Sequence, residues 1–109
     1  MEKLKQALID NASKNFVIRC NSPLEYELII QELQRINESG LKVVWLSGDE
    51  PIRFKSATYI YAKDKTTSLT FRLSGDFSIR FGYSFGTSSD ARNAFQAQEF
   101  IGSYFELDI

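Results

Sequence analysis

Two runs of strict alternation constrain this chain most. Leu69, Phe71 and Leu73 alternate with Ser68, Thr70 and Arg72. After Ser74-Gly75-Asp76, the residues Phe77, Ile79, Phe81, Tyr83 and Phe85 alternate with Ser78, Arg80, Gly82 and Ser84. A period of two sends successive side chains to opposite faces, so each run has one apolar and one polar side. Joined by a turn, the runs predict an antiparallel hairpin with its apolar face on a core and its polar face outward. Phe71, Phe77, Phe81 and Phe95 are expected in that core.

The remaining elements follow from the same two periodicities. Leu4, Ala7, Leu8 and Ala12 fall at helical spacing and predict a first helix over 2–13, with a stripe weak enough to imply loose docking. Phe16 to Cys20 is β-branched and aromatic and reads as a strand, with Phe16, Ile18 and Cys20 on one face. Ser22-Pro23-Leu24-Glu25 is a helix start. Ser22 caps, Pro23 occupies the first position, where no N–H is needed, and Glu25 completes a capping box. Leu24, Leu28, Ile29, Leu33 and Ile36 then form the apolar stripe, leaving Glu27, Glu32, Gln34, Arg35 and Glu38 outside, and Gly40 ends the helix. Strands are predicted over 41–46 and 57–62. Ala91, Ala94, Phe95, Gln98 and Ile101 predict a last helix, and the alternation of Phe105, Leu107 and Ile109 predicts a final strand.

Taken together the fold class is α+β: a mostly antiparallel sheet of about five strands with helices packed on one face. The strand–helix–strand unit from Phe16 to Leu46 can alternatively run its strands parallel through a right-handed crossover, which makes the sheet mixed. At 109 residues the chain is read as a single domain over 1–109. No run reaches the ~18 apolar residues of a membrane span, and the start lacks a signal-peptide core. With Cys20 unpaired, the expected location is the cytoplasm.

Composition bears on function mainly by subtraction. The chain has no His, which removes the commonest general base and metal ligand and any Ser-His-Asp or Cys-His arrangement. One cysteine makes neither an internal disulfide nor a zinc site, and Cys20 reads as a small buried hydrophobe. No cofactor, metal or catalytic residue is expected. The net charge of −1 argues against bulk nucleic-acid binding. That near-zero total hides segregation: residues 21–50 carry two basic and six acidic side chains, and residues 51–80 six basic and two acidic. Such polarity suits a specific partner, although an ordinary mixed surface has similar counts.

Two sets of residues are therefore candidates. Glu25, Glu27 and Glu32 on the second helix, with Tyr59 and Tyr61, which project outward if the helices cover the Ile60 face, suit a protein interface, since aromatic rings give contact area at low entropic cost. Arg72, Arg80, Ser84 and Thr87 suit an anion or small nucleotide: guanidinium forks and hydroxyls on a flat strand face, beside a small-residue loop at Gly82–Ser89. Solvent-facing strands in general have the same composition. An edge strand or the C-terminal tail is a candidate for self-association.

Residues 16 to about 73 resemble a group of small phage-encoded accessory proteins. The likeness rests on Phe16-Val-Ile-Arg-Cys-Asn-Ser-Pro-Leu-Glu25, Asn37-Glu-Ser-Gly40, Val44-Trp-Leu-Ser-Gly-Asp-Glu-Pro51, and the strands at 58–62 and 69–71. The first helix and the stretch after Gly82 have no counterpart in it. The resemblance implies a mobile-element origin and no catalytic residue. The function expected is that of a non-enzymatic protein that binds and inhibits a host or defence component in the bacterial cytoplasm. Alternatives are immunity against a cognate toxin and sequestration of a small nucleotide signal.

Overall fold

The computed structural model describes residues 2–11, 16–54, 67–84 and 94–101. In chain order these form α1 (Glu2–Asn11), β1 (Phe16–Cys20), α2 (Pro23–Glu38), β2 (Val43–Trp45), a 3-10 turn (Pro51–Phe54), β3 (Thr67–Leu73), β4 (Ile79–Ser84) and β5 (Ala94–Gln96). The five strands make one sheet in the order β2-β4-β3-β1-β5. β3 runs antiparallel to both β1 and β4, while β2 pairs parallel with β4 and β5 parallel with β1. Four strands thus point one way and the central β3 the other. The α+β class stands, and the sheet is mixed rather than mostly antiparallel. The β1-α2-β2 unit does run its strands parallel, and the β3–β4 hairpin fills the gap between them.

One face of the sheet carries the core. Phe16, Ile18 and Cys20 from β1, Val43 and Trp45 from β2, Leu69 and Phe71 from β3, and Ile79 and Phe81 from β4 join Leu4 and Leu8 of α1 and Tyr26, Ile29, Ile30, Leu33 and Ile36 of α2 in one buried cluster. A row of rings crosses the whole sheet, level from Trp45 to Phe16 and offset at Phe95, which pairs with Ile18. Centroid separations are 4.9 Å for Phe95–Phe16, 5.4 Å for Phe16–Phe71, 5.1 Å for Phe71–Phe81 and 4.3 Å for Phe81–Trp45. The first three spacings lie in the favourable range for aromatic pairs and Phe81–Trp45 is slightly closer, and the row ties strands far apart in sequence. Burial in this cluster pushes the Cys20 thiol well above its ordinary pKa, with the nearby Glu25 charge acting in the same direction.

The second helix starts as its sequence requires. The Ser22 hydroxyl accepts from the Glu25 N–H at 3.1 Å, and the Glu25 carboxylate reaches back to the Asn21 N–H at 3.1 Å. It ends at Ser39, followed by Gly40 in a left-handed conformation (φ +116°) that suits glycine. Its buried stripe differs from the expected one. Leu24 is 52 % exposed in the first turn, while Tyr26 is fully buried and donates its hydroxyl to the Phe54 carbonyl at 2.6 Å. Gln34 is also buried, because its amide oxygen accepts from the Ile52 N–H at 3.2 Å and holds the Pro51–Phe54 turn on the helix. Trp45 fastens the other side of that turn, its indole N–H donating to the Pro51 carbonyl at 3.1 Å.

Three further expectations are corrected. The first helix is not loosely docked, since Leu4 and Leu8 are both fully buried. The predicted helix over 91–101 is a strand at 94–96, added beside β1, and becomes helical only at 98–101. Phe77 is not core. The ladder ends at the Leu73–Ile79 pair, and Phe77 sits in the turn, 83 % exposed, with φ +65°. The strand predicted over 57–62 and the tail strand after 104 lie outside the described residues.

Candidate functional site

The opposite face of the sheet is chemically different. Pairing places Val17, Arg19, Val44, Ser68, Thr70, Arg72, Arg80, Gly82 and Gln96 on it, as their neighbours along each strand belong to the core cluster; Val17, Val44 and Ser68 are buried there, Arg19 and Arg80 are half-buried, and Arg72 is exposed. Among the described residues these outward positions include the arginines Arg19, Arg72 and Arg80 and no carboxylate. Arg72 and Arg80 are direct cross-strand partners, with Thr70 opposite Gly82 on the next level of that face. Like charges placed opposite each other on a sheet repel. The fold therefore holds two cations together where hydrophobic burial does not require them.

Arg80 is partly neutralised. One terminal nitrogen donates to the Leu46 carbonyl at 3.2 Å, and the other lies 3.7 Å from Asp76. Arg72 is exposed and makes no ion pair or hydrogen bond among the described residues. Three polar atoms on this face, Arg19 Nε, Thr70 Oγ1 and Arg80 Nε, are buried without a hydrogen-bond partner. Buried polar groups are normally paired, so these three atoms are exceptions on this face.

Beside Arg72 the surface dips. Leu46, Thr70, Arg72 and Gly82 line a depression of about 160 Å³. Gly82 makes its floor: a Cβ there would stand 2.8 Å from Leu46 Cδ1. Enclosing pockets for drug-sized ligands run to roughly 300–1,000 Å³. The depression thus suits one carboxylate or phosphate group and does not enclose a nucleotide.

The hairpin turn below the arginine pair is tightly held. The Phe77 N–H donates to the Ser74 carbonyl at 3.0 Å, and the Ser74 N–H to the Ser78 carbonyl at 2.8 Å. Asp76 accepts from the Ser78 N–H at 3.1 Å and from its hydroxyl at 2.5 Å. The Ser78 hydroxyl, then the Ser78 N–H, lower the Asp76 pKa to about 2; the Ser74 hydroxyl and the Arg80 charge act in the same direction, against some desolvation.

The predicted site residues fare unequally. Arg72 and Arg80 are brought together on one face as expected. Ser84 pairs with Ser68 in the ladder, while Thr87, Tyr59 and Tyr61 lie outside the described residues. The acidic trio on α2 is not an open patch. Glu32 is 5 % exposed with its carboxylate accepting from Arg35 at 3.0 Å, and Glu25 is occupied at the helix start. Glu27, two residues from Glu25, points to a different side of the helix. The sequence reading did not assign Arg19, Thr70 or Leu46 to a site. Arg19 was legible, since it alternates with Ile18 and Cys20, whereas the depression depends on β2 lying beside β4.

Three outward N–H groups at the sheet edges are occupied. The Val43 N–H donates to Asn37 Oδ1 at 3.1 Å, and the Trp45 N–H to the Asp49 carbonyl at 2.9 Å. At the other edge the Gln96 N–H donates to Glu99 Oε2 at 2.7 Å. Strand addition at either edge would have to displace these bonds, so the described structure favours face contacts over edge contacts. Among the described residues no cluster of His, Cys, Asp or Glu is arranged to hold a metal ion, and no helix is long and apolar enough to cross a membrane. Comparison with protein-family models, curated proteins and solved structures finds no match to this chain.

Proposed function

We propose that this chain is a non-enzymatic binding protein of the phage-accessory kind, which inhibits a bacterial host or defence protein by covering an acidic surface of it. The observation that carries this reading is the cross-strand pair Arg72–Arg80 with Arg19 on the same face, no carboxylate at the described positions of that face, and Arg72 exposed without an ion pair among the described residues. Complementary charge sets partner choice and speeds association, and a buried guanidinium–carboxylate fork adds specificity. The depression, smaller than an enclosing ligand pocket, favours a carboxylate on a protein surface over an enclosed nucleotide. This moves the expected interface from the glutamates of α2 to the arginines of the sheet.

The test is affinity capture from bacterial lysate with native mass spectrometry, run in parallel on the natural chain and on Arg72→Glu/Arg80→Glu. The reading expects a stoichiometric protein partner that the double reversal releases. A partner retained undiminished by the reversed chain refutes the arginine face as the interface, and a bound mass of nucleotide size replaces the reading with sequestration. A bare chain from this host, with capture only of a cognate toxin, replaces it with the immunity reading.

A further inference from the structure

The turn that closes the hairpin carries a residue the fold does not use. Phe77 is 83 % exposed and belongs to no part of the core cluster. It also sits at φ +65°, a left-handed conformation that glycine or asparagine adopts readily and a bulky side chain does not. A strained backbone and an exposed aromatic side chain each work against stability, so their coincidence at one residue is not explained by folding. The turn is nonetheless fixed by the bonds that Asp76 accepts from Ser78 and by those linking Ser74 with Phe77 and Ser78. Phe77 is thus displayed in a set position.

Its surroundings indicate what it meets. The Arg72–Arg80 pair lies on the rung next to Leu73–Ile79, just below the turn, and Arg72 makes no ion pair among the described residues. Leu73, 44 % exposed, adds apolar surface at the same end. Asp76, next to Phe77, is engaged by Ser78 and Arg80, which leaves the exposed Arg72 as the charge available beside the aromatic tip, and the two together complement an apolar pocket with a carboxylate on its rim. Interface hot spots have this composition: a buried aromatic anchor, arginines beside it, and little ordering cost on binding.

We infer that the β3–β4 turn is a preformed recognition tip that inserts Phe77 into an apolar, carboxylate-rimmed pocket of a partner protein. The inference rests on the proposed reading that the partner is an acidic protein, and it names the feature recognised.

The test places a photoreactive benzoyl-phenylalanine at position 77 of the otherwise intact chain, and in a second sample at Ile9, exposed on α1. After irradiation in bacterial cells, position 77 is expected to give one discrete adduct that position 9 does not. The cross-linked peptide should map to an apolar pocket with Asp or Glu on its rim. The partner so identified is then purified and its affinity measured for the natural chain, Phe77→Asn and Arg72→Glu. Phe77→Asn should lose roughly thirtyfold or more, mostly through faster dissociation, while unfolding cooperatively at a temperature no lower than the natural chain's. Arg72→Glu should mainly slow association. Equal adducts at both positions, no adduct at 77, an adduct between two copies of this chain, or a partner peptide without an apolar pocket overturns the inference. Unchanged affinity of folded Phe77→Asn overturns it too while leaving the arginine reading standing if Arg72→Glu still weakens binding. Loss with Phe77→Asn alone retains the tip and removes the arginines.

Discussion

Replacing Phe77 by Asn should stabilise the folded chain, although a phenylalanine is being removed. A left-handed conformation costs an ordinary L-residue roughly 1–2 kcal/mol, and asparagine, whose short side chain bonds locally, avoids much of that. The opposing term is burial. Full burial of a phenylalanine is worth ~2–3 kcal/mol, and Phe77 keeps 83 % of its surface in water, so no more than about half a kcal/mol is forfeited. The balance is a gain of ~1 kcal/mol, or a rise in Tm of ~4 °C for a domain of this size. Thermal and urea unfolding followed by circular dichroism would measure it. A loss of 1 kcal/mol or more would refute the reasoning, because it would mean that Phe77 packs on the fold or that its backbone is unstrained.

Three other outcomes follow from the same geometry. Phe71, fully buried at the centre of the ring row, should cost about 3–5 kcal/mol when changed to Ala, and a urea midpoint close to that of the natural chain would contradict the described core. Asp76 has its pKa lowered to about 2 in the folded state, below the ordinary value near 4, so its contribution to stability is complete above about pH 4 and is lost as pH falls toward 2. The stability difference between the natural chain and Asp76→Ala should therefore shrink across that window, and a difference independent of pH would refute the assigned hydrogen bonds. Gly82→Ala forces Leu46 Cδ1 to move, but Leu46 is half exposed and free to turn, so stability should change by less than about 1 kcal/mol while the depression is reshaped. Unfolding by several kcal/mol would show that the floor is structural.

What was legible in the sequence was local. The Ser22 cap, the Pro23 start and the alternation of Ser68 to Leu73 are decided by residues within a few positions, and each appears where its chemistry requires. Arg72 and Arg80 fell on one face because parity along a hairpin is fixed once its turn is known. The failures needed partners distant in sequence. Residues 94–96 have helical spacing, and only pairing with β1 makes them a strand. Leu24 fits the stripe of α2 by period, but it lies in the first turn, and Tyr26 is drawn inward by a carbonyl 28 residues away. Phe77 continues the apolar parity of its strand, and the bonds between Asp76 and Ser78 pull it into the turn instead. Glu32 looked solvated by period, yet the core it sits beside is wide enough to bury it against Arg35. The depression between Leu46 and Arg72 could not be read at all, because it exists only where the edge strand β2 meets β4.

The central claim is that the arginine face binds carboxylates, and arginine-side-chain NMR tests it most directly. A glutamate-rich peptide would be titrated into the labelled chain while the Nε–Hε signals of Arg19, Arg35, Arg72 and Arg80 are followed at low and high salt. The account predicts saturable shifts at Arg72 and Arg80, a smaller one at Arg19, none at Arg35 on the helix, and weakening of all shifts as salt rises. Shifts at Arg35 equal to those on the sheet, or none at Arg72, would contradict it.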